Sequence, residues 1–168
     1  MQRAETQLQA GEFDGLLEAM DEFARLNLDD LLPSVANPQR LVTASSWIPS
    51  VIERVHRRFG PHERRAVDEQ IDALKHEALA SNDVTSLERF LSVYSDHPLA
   101  VEVRSRLAER LVARGRFQQA ELLLLQNRRS DHPFVAAEAT RMLVDIWDRA
   151  GLAERIAALT PGDLNRVF

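Results

Sequence analysis

The chain has no cysteine among its 168 residues, which removes disulfide frameworks, thiol nucleophiles and cysteine-ligated zinc or iron-sulfur sites together. A chain without thiols suits oxidising and reducing compartments equally, so location stays open. Glycine (6) and proline (7) are sparse, which excludes collagen-like and low-complexity classes. Long apolar runs are missing as well: the longest, such as Leu122 to Leu125, hold about four residues, against the ~20 that a membrane span needs. Residues 1–20 carry Glu5, Glu12, Asp14 and Glu18 and no apolar centre, so no secretory leader is expected in this stretch. A net charge of -5 gives no general attraction to nucleic acid or anionic lipid. What remains is 45% apolar and 28% charged, the composition of one globular domain of ordinary size.

The apolar residues recur at helical spacing, and no stretch of five or more alternates as a half-buried strand would. Between Pro98 and Arg114, Leu99, Val103, Leu107 and Leu111 form one stripe, beside a charged ridge of Glu102, Arg106, Arg110 and Arg114. Gly115 offers a left-handed turn, and Phe117, Ala120 and Leu124 restart the helical period. Two antiparallel helices follow from this. A second hairpin runs from Pro61 through Val67, Ile71, Leu74 and Ala78, breaks at Ser81-Asn82-Asp83, and returns through Leu87, Phe90, Leu91 and Tyr94. A third begins at Pro133, carries Ala139, Leu143, Ile146 and Trp147, turns at Gly151 and returns through Ile156 to Leu159. A fourth, shorter at its start, is expected from Met1 to Ala10 and from Phe13 to Leu26. Residues 29–46 break this rhythm and read as an irregular connector with one short helix, leading into a helix from Trp47 to Phe59 that Gly60-Pro61 ends.

The word Ser95-Asp96-His97-Pro98 returns as Ser130-Asp131-His132-Pro133, an offset of 35 residues, each time between two hairpins. The turn signals at Asn82, Gly115 and Gly151 lie 33 and 36 residues apart, which brackets the period of two-helix solenoid repeats. In one frame, Arg104, Leu107-Ala108, Leu111, Gly115, Phe117, Ala120, Leu124 and Pro133 follow one another at fitting intervals. That frame resembles the tetratricopeptide repeat, whose Trp, Leu-Gly, Tyr, Ala, Phe and Pro span about 34 residues. Arg104 stands where Trp is usual, Leu111 where Tyr is usual, and Pro133 comes one residue late. More loosely, the stretch from Trp47 to Leu159 is similar in texture to helical modules of large bacterial proteins that carry PQQ-type β-propeller repeats. The resemblance implies an all-α, right-handed α-solenoid of three to four degenerate hairpins, with residues 1–45 as an N-terminal hairpin and connector and 46–168 as one continuous helical repeat domain.

No catalytic template fits. A Gly-rich phosphate loop, a nucleophile elbow and a pair of carboxylates in an apolar setting are all missing, and the adjacent Ser95-Asp96-His97 cannot adopt triad geometry. His56, His62, His76, His97 and His132 lack metal-ligand spacing, and the best helical pair, Asp72 with His76, reads as a surface contact. Neither metal nor cofactor is therefore expected. His97 and His132 precede proline and are expected to cap helices. Trp47 and Trp147 fall on apolar periods and are expected in the core.

Two surfaces stand out. Arg54, Arg57, Arg58, Arg64 and Arg65 form the basic cluster, readable as an anion contact or as a solvated face balanced by Glu53, Glu63 and Asp68; Phe59 is its one aromatic neighbour, so nucleic acid is not the expected partner. The resemblance implies a concave groove lined by the first helix of each hairpin, here Glu102, Ser105, Glu109 and Val112 followed by Glu138, Arg141, Asp145 and Asp148. That set is acidic, and it lacks the Lys, Asn and Arg with which one subclass captures peptide carboxylates. The expected function is a non-catalytic protein-interaction or scaffolding module of a larger protein, binding a basic or amphipathic segment. A structural spacer in a cell-envelope protein is the alternative from another class. Leu164, Val167 and Phe168 would cap the solenoid or continue it, and an uncapped end would give weak self-association.

Overall fold

The structure is a computed structural model that describes residues 31–33, 41–81 and 83–159. The expected N-terminal hairpin, Asn82 and the cap residues Leu164, Val167 and Phe168 lie outside the described residues, as does the side chain of His56. The described chain is mostly helical. The elements in order are β1 (Leu31–Pro33), β2 (Leu41–Thr43), α1 (Ala44–Arg58), α2 (Pro61–Ser81), α3 (Val84–Tyr94), α4 (Ala100–Ala113), α5 (Phe117–Arg128), α6 (Pro133–Arg149) and α7 (Ala153–Ala157).

The connector departs from expectation. Among its described residues it carries an antiparallel ladder that the sequence did not lead one to expect, pairing Leu31 with Thr43, Leu32 with Val42 and Pro33 with Leu41. Three-residue strands are too short to register as alternation, and Pro33 sits at a strand end where its missing N–H costs no rung. The chain forms two compact units that part between Ala100 and Val101, a different division from the one expected at residues 45 and 46.

In the first unit α1 packs on α2 and α3, and α2 packs on α3. Trp47, Val51, Ile52 and Val55 of α1 are buried, together with Val67, Ile71 and Ala78 of α2 and Leu87, Phe90, Leu91 and Tyr94 of α3. The buried stripe of α2 also contains Lys75, whose ammonium lies 2.7 Å from Asp72 Oδ1. That pairing offsets the desolvation an ammonium suffers at this depth. Leu74, expected at the centre of the stripe, is half-buried at its edge. Asp83 caps α3, its carboxylate accepting the Ser86 N–H at 3.3 Å.

In the second unit α5 packs on α6, and α6 on α7. Two of its turns are made by glycine. Gly115 takes φ +72°, its N–H bonds Val112 O, and the Arg116 N–H reaches back to Leu111 O at 2.8 Å. Gly151 repeats this with φ +69°, bonding Asp148 O, while Leu152 N–H reaches Trp147 O at 2.8 Å. Both are Schellman closures, in which a left-handed residue lets the chain reverse while satisfying the last carbonyls. The core is Val103, Leu107, Ala108 and Leu111 of α4, Ala120 and Leu124 of α5, and Ala139, Leu143, Ile146 and Trp147 of α6. Both tryptophans are core residues, as expected, each in a different unit.

Candidate functional site

Asn127, fully buried near the end of α5, fixes α4 against α5. Its Nδ2 donates to Val101 O and to Ser105 Oγ, each at 2.9 Å, and its Oδ1 accepts from Arg104 Nε at 2.6 Å. Both amide protons are used, so the group meets its bonding capacity in the interior. Ser105, expected in the groove, is engaged here instead. Asn127 was legible in principle, since it continues the Ala120 and Leu124 stripe at i+3 and a polar residue there demands partners.

Of the eight expected groove residues, Glu109, Val112, Arg141 and Asp145 come together around a shallow cleft of about 290 Å³ between α4 and α6. Val112, Met142 and the buried Ile146 supply its apolar part. Its carboxylates are not bare. Arg106 reaches Glu109 at 3.0 Å, Arg141 grips Glu138 with two bonds of 3.1 and 2.6 Å, and Arg149 holds Asp145 at 3.2 and 3.1 Å. The Glu138 carboxyl is held below its ordinary range chiefly by the Arg141 hydrogen bond, which outweighs the opposing effect of burial, and the Arg141 guanidinium is pushed up by the same bond. The surface alternates in sign, because each of these carboxylates of the set read as acidic has an arginine beside it. Glu102 and Asp148 are exposed and do not line the cleft.

The basic cluster straddles the break between α1 and α2. Arg54 Nε donates to Ser50 O at 3.3 Å, Arg57 pairs with Glu53, and Arg64 Nε bonds Phe59 O at 3.1 Å across the break. Arg54, Arg57 and Arg64 thus serve local backbone or ion-pair contacts. Arg58 and Arg65 are exposed.

The repeated histidines behave differently. His97 Nδ1 accepts the Leu99 N–H at 3.3 Å, and Nε2 faces Asp68 Oδ1 at 3.3 Å, with 9% of the side chain exposed. His132 is exposed and its side chain makes no cap bond; the backbone of His132 accepts from Ala136 at 3.1 Å. Neither histidine side chain makes the expected helix-cap bond: that of His97 goes to Leu99, in the turn before α4. His76 contacts Asp72 on the surface, and Asp72 is held below its ordinary range first by its bond to Lys75, against desolvation. Glu121, not singled out by the sequence, accepts from Trp147 Nε1 at 2.9 Å and pairs with Arg155, tying α5, α6 and α7 at one carboxylate.

Among the described residues no helix is long and apolar enough to cross a membrane, and no three side chains of metal-ligating type converge. Comparison of the chain with protein-family models, with curated proteins and with solved structures finds no match.

Proposed function

We propose that the chain is a non-catalytic protein-interaction module of tetratricopeptide-like kind, an α-solenoid segment that receives a partner along the first helices of consecutive hairpins. The observation that carries this reading is the cleft between α4 and α6. Glu109 and Asp145, both on its walls, are 36 residues apart, the same interval that separates the two turn glycines. The buried pairs Val103 and Ala139, Leu107 and Leu143, and Leu111 and Trp147 keep that interval too. Two helices presenting equivalent positions to one cleft is what a two-helix repeat requires. The small Ala108 and Ala120 of the matching frame are fully buried, as close helix approach demands.

The partner this cleft suits is an amphipathic segment. Its apolar ridge would rest on Val112, Met142 and Ile146, and charges of both signs would meet the alternating rim. Internally paired carboxylates gain less from a purely basic partner, because each such contact must first compete with a local arginine. Panning the full chain against a displayed random-peptide library tests the reading, with Val112→Glu as the comparison bait. Enriched peptides should carry apolar residues at helical spacing and lose binding to the variant roughly tenfold or more, since a buried charge is placed on the contact. Absence of enrichment, or equal binding to both baits, overturns it.

A further inference from the structure

The first unit carries a second opening, unrelated to the α4/α6 cleft. Between α2 and α3 lies a slot of about 140 Å³ walled by Leu74, Phe90, Val93 and Tyr94, with Glu77 on the α2 side and Arg89 on the α3 side. The slot exists because Leu74 sits at the edge of the buried stripe while Lys75 occupies its centre. Ligand pockets run from about 300 to 1,000 Å³, so this volume is too small for a cofactor, whereas an apolar cavity of roughly 150 Å³ holds one benzene ring. One aromatic side chain is the occupant that fits. Glu77 and Arg89 are engaged in no ion pair among the described residues, so the slot is flanked by one available charge of each sign.

The chain itself displays the matching element. Phe134, in the first turn of α6, is 74% exposed, the most exposed of the large apolar side chains among the described residues. Near it in sequence stand Arg129 and Asp131, both exposed and likewise in no side-chain ion pair among the described residues. We infer that Phe134 of one copy inserts into the Leu74–Tyr94 slot of a second copy, with Arg129 meeting Glu77 and Asp131 meeting Arg89. Each contact pairs a slot of one copy with a Phe134 of another. Each copy carries one of each, so a reciprocal dimer and a longer run of copies both satisfy the pairing. A single anchor with two rim pairs gives a weak interface.

The test is sedimentation of the full chain from ~10 µM to ~1 mM, where a weak contact of this kind becomes populated. The weight-average mass of the wild type should climb above that of the monomer as concentration rises. Phe134→Ala should need roughly tenfold higher concentration for the same mass, from loss of the buried ring. Arg89→Glu should weaken association, and adding Asp131→Arg in the same chain should restore it. Tyr94 is the sole tyrosine, so 3-fluorotyrosine labelling yields one resonance in the slot wall, which should shift with concentration in the wild type and hold still in Phe134→Ala. All substituted residues are exposed, and unchanged circular dichroism will confirm folding. A wild type that stays monomeric to ~1 mM, a Phe134→Ala variant that associates equally, or failure of the charge reversal to restore association overturns the inference. None of these residues lines the α4/α6 cleft, so this outcome is independent of the peptide-panning result.

Discussion

Ser95 to Pro98 and Ser130 to Pro133 are the same four residues, yet in the first unit the histidine is nearly buried and holds a backbone N–H, while in the second it stands in solvent. The difference comes from the next residues. The words are 35 apart, but the buried helix positions after them, Ala100 and Ala136, are 36 apart. The second copy thus has one more residue between proline and the first core alanine. With that residue the helix begins at Pro133 itself; without it, His97 to Leu99 fold into a turn and the helix begins at Ala100. The turn leaves the Leu99 N–H needing an acceptor, which His97 Nδ1 supplies, while Asp68 stands by its other nitrogen. A repeated word therefore specifies a turn only together with its distance to the core. The units also differ in how they reverse the chain: Asp83 caps the helix after a break in the first, and left-handed glycines close the turns after α4 and α6 in the second.

The sharpest way to separate the units is to remove what only one of them has. Asn127→Ala should destabilise the second unit by about 2 to 4 kcal/mol, because three hydrogen bonds of a fully buried amide are lost. Ser92, 35 residues earlier, is exposed and bonds only within its own helix, so Ser92→Ala should stay within about 0.5 kcal/mol. Each unit holds one tryptophan, so 5-fluorotryptophan labelling gives one resonance per unit, and urea titration reads both. An unmoved Trp147 midpoint in Asn127→Ala would break the comparison.

Next in size is the histidine pair. His97→Ala should cost about 1 to 2 kcal/mol through a lost partly buried hydrogen bond, and His132→Ala should be neutral within about 0.5 kcal/mol. Equal midpoints for the two variants would show that both copies do the same work. The glycines follow. Gly115→Ala forces a Cβ into the left-handed region and should cost about 1 kcal/mol, although nothing crowds that Cβ. Gly60→Ala, at the break in the first unit, meets only the flexible tip of Glu63 at 3.1 Å and should cost less than about 0.5 kcal/mol. Thermal unfolding of the two variants reads the difference.

Helix positions were legible because their cause is local: the Leu107, Leu111, Ala120 and Leu124 spacing, Pro133 in a first turn and glycine after a last turn each act within a few residues. The ladder from Leu31 to Thr43 was hidden because its pairing joins segments too short to show a period. At the candidate cleft, four of the eight positions that the resemblance implied come together. The charge of the surface did not follow, because counting carboxylates ignores which arginine lies three or four residues away. The slot beside Leu74 was illegible for a different reason: the one-residue shift of the buried stripe from Leu74 to Lys75 depends on the Asp72 pair.

The smallest expected effect tests that last point about charge. Glu138 in the second unit and Asp72 in the first are both held below their ordinary values, each first by a hydrogen bond from a basic side chain on its own helix. A carboxyl lowered by folding stabilises the fold above its unfolded pKa, and that contribution disappears as pH falls through the folded value. For Glu138 the window therefore opens near 4.5 and extends downward. Because 43% of the Glu138 side chain is exposed, solvent screens the pair, and Glu138→Gln should cost only a few tenths of a kcal/mol at neutral pH. Below the folded pKa the wild type and the variant should unfold at the same urea concentration. Asp72→Asn should show the same direction, with a further loss at neutral pH because its partner Lys75 is 8% exposed and is left with a charge in the interior. If Glu138→Gln proves the more damaging of the two at neutral pH, the rim pairs of the α4/α6 cleft contribute more to the fold than a buried ammonium does, and the alternating rim would then be a structural feature before it is a recognition surface.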